Sequence, residues 1–297
     1  MPDSYCFITP TYAGDIDRFA VLRESIMTFA ADVHHVAIIQ TEHFDHFESR
    51  FAHQPNLELL TTSRVLPPHM ELQRGGSRLS RKLIGLRRAF KQDYRRIDGW
   101  RAQQLTKIYS LAQSEHEVGI FLDSDIFLSR HVKEADFFSQ GKPKIFRAKC
   151  HNLESAALWL SAADIHGIDP LSTNETHNFV FAPAVFRRST AELLINEMIS
   201  RHGQRWELPF CSEKKPSEYN LLGITAMRSN EIKKYHIEQL ETPEDLHYAV
   251  TADDMSPPEA SRAVRESGKS FFLIQSNTKI SPDYMSAIFS DLKSSSN

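Results

Sequence analysis

The apolar run Val118-Gly119-Ile120-Phe121-Leu122, with Asp123-Ser124-Asp125 and then Ile126-Phe127-Leu128 behind it, limits the choice of fold more than any other stretch. It is too short for a helix, has no helical periodicity, and suits a strand buried on both faces. Such strands belong to parallel sheets covered by helices, so the run predicts an α/β architecture. Carboxylates at the end of the strand stand where open α/β sheets bind ligands. In extended chain Asp123 and Asp125 point to one side. Two acids so placed repel unless a cation joins them, and oxygen-only ligands favour Mg²⁺ or Mn²⁺ carrying substrate phosphates. A solvated acidic turn is the competing reading, and the position at the end of a buried strand argues against it.

Around this stretch, strand-like and helix-like segments alternate, which predicts a mostly parallel central sheet flanked by helices and wound in the right-handed sense. Strands are expected over 5–9, 33–40 and 57–61, with a short helix over 44–51. Asp15 is a credible N-cap for a helix reaching residue 29, with Phe19, Leu22, Ile26 and Phe29 on one face. A helix over 99–112 leads into the strand at 118–122. Beyond the acids the pattern predicts helices over 131–139, 154–165 and 189–201, strands over 144–148 and 177–182, and a helix opening at Pro216-Ser217. A last buried strand over 271–275 and a helix over 284–292 close the series. At 297 residues with 41% hydrophobic content the chain can bury one large core. It is expected to form a single domain with a ligand-binding half over 1–130 and a second half over 131–297.

Composition excludes some functions. A net charge of -3 gives no global attraction to nucleic acid or to acidic membranes. The basic stretch 74–96, which contains Gly75-Gly76-Ser77, matches neither the P-loop nor the dinucleotide pattern and reads as a mobile connection and a solvated helix face. Cys6, Cys150 and Cys211 are odd in number and widely spaced, which fits free thiols in a reducing compartment. No signal peptide is apparent and no apolar run could span a bilayer. The expected location is cytoplasmic, which leaves peripheral association with a membrane open.

The Asp-x-Asp at the end of a buried strand resembles the DxD motif of GT-A-type glycosyltransferases, a Rossmann-type fold. That resemblance implies a nucleotide-sugar donor held through Mn²⁺ or Mg²⁺, with Asp123 and Ser124 on the donor side and Asp125 as metal ligand. The opening unit also resembles that family, which implies Thr9, Thr11, Tyr12 and Asp15 as donor contacts. Trp100-x-x-Gln103-Gln104-x-x-Lys107 places its side chains three or four apart on one helix side. Just ahead of the DxD strand, it looks like bacterial glycosyltransferase-like proteins of surface-polysaccharide loci, with Gln104 and Lys107 reaching the donor. Ser217-Glu218-Tyr219 resembles the position of a carboxylate base in inverting enzymes, so Glu218, with Asp123, is the catalytic candidate. His177 and Asn178 are acceptor-side candidates. A late His often completes the metal shell, here His247 in preference to His236. The implied acceptor is a glycan or lipid-linked glycan. Two rivals fit less well: a phosphatase of the haloacid dehalogenase type, whose D-x-D opens the chain, and a nucleotidyltransferase, whose acids lie closer to the glycine turn. A non-catalytic nucleotide- or sugar-binding module would share the fold and need no metal.

Overall fold

The computed structural model describes residues 4–74, 97–150, 152–169, 176–213, 215–250, 255–275 and 280–294. The glycine turn at 75–77 and the rest of the basic stretch up to residue 96 lie outside the described residues. The chain opens with β1 (Tyr5–Thr11), α1 (Ile16–Phe29), β2 (His34–Ile39), α2 (Phe44–Phe51), β3 (Leu57–Thr61), α3 (Thr62–Val65) and α4 (Pro68–Arg74). Next come α5 (Gly99–Ala112), β4 (Val118–Phe121), β5 (Ile126–Leu128), α6 (Glu134–Phe137), β6 (Phe138–Ser139) and β7 (Lys142–Lys149). Then follow α7 (Leu153–Ile165), β8 (His177–Asn178), β9 (Ala184–Arg187), α8 (Arg188–His202), α9 (Glu207–Ser212) and α10 (Glu218–Arg228). The last elements are β10 (His236–Gln239), β11 (His247–Ala249), α11 (Pro257–Glu266), β12 (Phe271–Leu273) and α12 (Pro282–Ser294).

The central sheet has the order β3-β2-β1-β4-β9, with β3, β2, β1 and β4 mutually parallel and β9 antiparallel. This is the α/β architecture that the buried strand demanded: a central, mostly parallel sheet flanked by helices. Strand parity explains its two cores. Phe7, Val118 and Ile120 face one side, where they meet Phe19, Leu22 and Ile26 of α1. Cys6, Ile8 and Phe121 face the other, packed with Leu105 and Ile108 of α5 and Leu221 and Leu222 of α10. Carried two residues past Phe121, the same alternation sends Asp123 to the side of α5 and α10.

The helix start at Ser217 is as expected: its hydroxyl accepts from the Asn220 N–H at 3.2 Å. The N-terminus of α5 is capped in the same way by Asp98, which accepts from Arg101 N–H. Such caps satisfy backbone donors that have no partner inside the helix. Gly223 lets α10 lie against Phe179, because a Cβ there would fall 2.2 Å from the ring.

Several segments differ from expectation. The helix expected over 131–139 is only the single turn α6. Gln140 and Gly141, with φ of 53° and 73°, turn the chain into the β6–β7 hairpin, and two consecutive positive φ values are what a tight hairpin turn requires. The strand expected over 177–182 is limited to β8. After Ala182-Pro183 the chain re-enters the central sheet as β9, which was not expected. The second apolar run, 126–128, is β5, which pairs antiparallel with β12 and thereby bonds the second half of the chain to the first.

Candidate active site

In the central sheet β1 is followed by β2 on one side, and the chain later returns to place β4 on the other. The crevice beyond the C-terminal ends of β1 and β4 is therefore a topological switch point, where sheets of this class take ligands. A cavity of about 480 Å³ lies there, within the range of small-molecule sites. Its walls carry Thr11, Tyr12 and Asp15 from the end of β1, and Asp123, Ser124 and Asp125 from the end of β4. Trp100, Gln103, Gln104 and Lys107 line it from α5. The side chains expected three or four residues apart on α5 thus share one face, and that face looks into the cavity.

Local bonds fix this arrangement. Ser124 donates to the Thr11 hydroxyl at 3.3 Å and so joins the two strand ends. The Tyr12 ring lies over Gly14, where a Cβ would come within 2.5 Å of it. Asp15 occupies the position before α1 yet makes no side-chain cap bond; it lines the cavity instead. Burial pushes its carboxyl up, the charge of Asp123 adds to the push, and Arg18 and the Ser124 hydroxyl act against it. Arg18 also donates to the carbonyls of Ile274 and Ile280, which ties the C-terminal segment to α1.

The centre of the site is Lys107, 2% exposed. Its Nζ lies 2.8 Å from Asp123 Oδ1 and 2.9 Å from Glu218 Oε1, and donates to Tyr219 Oη at 2.7 Å. Three oxygens thus surround the ammonium: the Tyr219 hydroxyl accepts its hydrogen bond, and the carboxylates of Asp123 and Glu218 are its ion-pair partners. Lys107 was expected to reach a donor; it lines the first cavity and also joins the DxD strand to the start of α10. Burial by itself would lower its pKa, but Asp123 and Glu218 outweigh burial and hold the ammonium well above the usual lysine range. Burial pushes the Glu218 carboxyl up, against the pull of Lys107. Glu218 Oε2 is buried without a hydrogen-bond partner among the described residues. Gln104 accepts from the Glu218 N–H at 3.4 Å, a second tie between α5 and α10.

A second cavity, of about 420 Å³, adjoins the first and shares Trp100, Gln104, Lys107 and Asp123 with it. Glu218 and Tyr219 line this one. The four shared residues form the partition, with Asp125 on one side and Glu218 on the other.

The structure does not bring every candidate here. The Thr9 hydroxyl bonds His35 Nε2 at 3.0 Å inside the protein, and Thr9 does not line the cavity. β1 runs on to Thr11, so Thr9 lies two residues inside the strand and is covered by its neighbours, while Thr11 at the strand end reaches the cavity. His177 and Asn178 pair with β7 and line neither cavity, although the neighbouring Val180 lines the second. His247 is level with Phe271 and Leu128, at the end of its strands away from Asp125, and its Nδ1 bonds the Ala182 carbonyl. His236 lies on β10 beside Glu238. Neither His lines the cavity. Sequence reasoning missed Gln40 and Thr62, which follow β2 and β3 and line the first cavity. The strand-end rule that selected Asp123 would have found both.

Among the described residues no three His, Cys, Asp or Glu side chains form a metal-binding group. Asp123 and Asp125 on one wall of a wet cavity still fit Mg²⁺ or Mn²⁺, which bind through one or two carboxylates and complete their shell with water and substrate phosphates.

Fold and site together define an α/β protein with an acidic, two-chambered cleft at the switch point of its sheet. The chain belongs to the family of unknown function DUF6492, with a match over residues 5–296. A search of curated proteins finds no match. Among solved structures it is similar to the galactosyltransferase LgtC in complex with donor and acceptor sugar analogs, at 10% identity and a TM-score of 0.48, covering 97% of this chain and 95% of that one. It is also similar to mouse xyloside xylosyltransferase 1, at 10% identity and a TM-score of 0.41, over 93% and 99% of the two chains. A third is core-mannan synthase A from Aspergillus fumigatus in its Mn/GDP form, at 10% identity and a TM-score of 0.44, over 79% and 72%. Similarity at this level assigns no role to any residue of this chain.

Proposed function

We propose that the protein is a GT-A-type, hexosyl-transferring glycosyltransferase that moves a sugar from a nucleotide-sugar donor to a hydroxyl of a glycan or lipid-linked glycan. The observation that carries this reading is the partition: Asp123 and Lys107, with Trp100 and Gln104, wall both a chamber that holds the carboxylates of Asp15, Asp123 and Asp125 and a chamber that holds the buried carboxylate of Glu218. A donor with its diphosphate fits the first, and an acceptor hydroxyl fits the second. Residues 1–130 supply the donor side and 131–297 most of the acceptor side. The helix motif from Trp100 to Lys107 and its likeness to proteins of surface-polysaccharide loci support a role in bacterial surface polysaccharide synthesis, in the cytoplasm.

Asp125 and Asp123 would hold Mn²⁺ or Mg²⁺, whose chemistry there is to neutralise the departing diphosphate. Thr11, Tyr12, Asp15 and Gln104 orient the donor. Glu218 accepts the acceptor's hydroxyl proton, the oxygen bonds to the anomeric carbon, and the bond from that carbon to the diphosphate oxygen breaks. Lys107 keeps the Glu218 carboxylate aimed and compensates its charge. A carboxyl raised by burial is the kind of group that takes a proton near neutral pH.

Nucleotide release from UDP-, GDP- and CMP-sugars, with and without Mn²⁺, tests the proposal. At least one donor should turn over with metal, and Glu218→Gln should keep donor binding and lose transfer. Stabilisation by phosphomonoesters in place of nucleotide diphosphates would favour the phosphatase. Nucleotide binding indifferent to metal would favour the binding module.

A further inference from the structure

The second cavity has a lining that the transfer chemistry does not use. Trp100 stands at its rim 45% exposed, whereas Trp159 and Trp206 are buried. The rest of the lining is mixed: Leu158 and Val180 are apolar, and Lys215 and Glu154 form an ion pair at 2.8 Å. Because Glu154 offsets the charge of Lys215, the chamber does not select an anion. Three carboxylates and an amide in one small space do not suit an acyl chain either, since their hydrogen-bonding capacity would be left unmet. The wall is also preformed. Asn220 Oδ1 accepts from the Phe179 N–H at 2.8 Å, and Gly223 admits the Phe179 ring against α10, which pins the segment that carries Val180.

A pyranose ring has the complementary surface. One face presents C–H bonds, whose positive edges suit the negative face of an indole. Its rim presents hydroxyls for Glu218 Oε2, Ser217 and the Glu154–Lys215 pair. We infer that this chamber binds a pyranoside stacked on Trp100, with one ring hydroxyl directed at Glu218. The acceptor is thus a saccharide at the point of transfer, whatever carries it. That this saccharide is the acceptor rests on the transferase reading; that the chamber binds one does not.

The test uses the wild-type chain without nucleotide or metal. Methyl α- and β-pyranosides of glucose, galactose, mannose and N-acetylglucosamine are presented one at a time in saturation-transfer NMR, with acrylamide quenching of tryptophan fluorescence in parallel. At least one glycoside should receive saturation, most strongly on the C–H bonds of one face, and should shield the quenchable tryptophan. Trp100→Ala, at an exposed position that leaves the core intact, should weaken that binding about tenfold or more, and Trp100→Phe by no more than about threefold. Leu158→Trp, which fills the chamber, should abolish it. No binding by any glycoside, or binding that survives Trp100→Ala and Leu158→Trp, would overturn the inference. UDP and GDP with Mn²⁺, measured separately on the wild-type chain, report on the donor chamber alone, so either assignment can fail while the other stands.

Discussion

Lys107→Met removes one charge from the partition and keeps most of the side chain's apolar body. The Glu218 side chain is 2% exposed, so its carboxylate would be left buried with no cation to compensate it. Breaking a buried ion pair by removing one partner costs about 3–5 kcal/mol. Asp123, a third exposed, can turn toward water and relieve part of the loss, which places the expectation near the lower end. In thermal terms this is a drop of about 5 °C. The deficit should depend on pH. Burial already holds the Glu218 carboxyl above its usual range, and Lys107 opposes that push; without Lys107 the carboxyl rises further. A carboxyl with a higher pKa folded than unfolded binds more protons in the folded state, so the variant regains stability as pH falls through the folded value. Urea unfolding of both proteins from pH 8 to pH 5 should show the gap narrowing, and Lys107→Met/Glu218→Gln should recover about half of it or more at pH 7. A deficit below about 1 kcal/mol at pH 7, or one equal at pH 5 and pH 8, would refute the idea that Lys107 compensates a buried Glu218.

Asp125→Asn should abolish the Mn²⁺-dependent rise in melting temperature given by UDP or GDP while the protein stays folded; an unchanged rise would remove Asp125 as the metal ligand. Gly223→Ala drives a methyl group into the Phe179 ring and should cost about 1–3 kcal/mol in urea unfolding, with recovery in Gly223→Ala/Phe179→Leu; a neutral Gly223→Ala would show that α10 can shift away. His166 is buried, and burial lowers its pKa to about 4. The unfolded chain takes up that proton below about pH 6.5 while the folded one does not, so His166 contributes a loss of about 3 kcal/mol between pH 6.5 and pH 4. His166→Asn should flatten the stability profile by about that amount, and an equally steep profile would contradict the burial argument.

The parts of the fold that could be read in advance are those where one local signal decides. Val118 to Leu122 could only be a doubly buried strand, Ser217 could only cap a helix, and the helices at 16–29 and 99–112 carried an apolar face. Asp123 and Asp125 were legible because a strand end is a physical location as well as a pattern. Pairings between distant residues were not legible. Nothing in the residues around Lys107 announces Glu218, more than a hundred positions later, since the bond between them depends on how α10 crosses α5. Thr9 does not reach the cavity because β1 continues two residues past the end that the sequence suggested, which leaves Thr9 inside the strand. β9 was missed because its four residues carry no periodicity until β4 supplies the partner.

Arg18 holds the carbonyls of Ile274 and Ile280, β12 zips onto β5, and Phe289 of α12 packs edge-on against Phe29 of α1 at 6.0 Å. The last helix is thereby a clasp on the first. During synthesis the support beneath α1 must wait, because residues 271–294 are made long after α1 itself. A chain stalled before residue 271 would display an open β5 edge and an uncovered α1, a state that invites association with other chains. Sequence-distant contacts of this kind are formed late and slow the folding of the chain that depends on them.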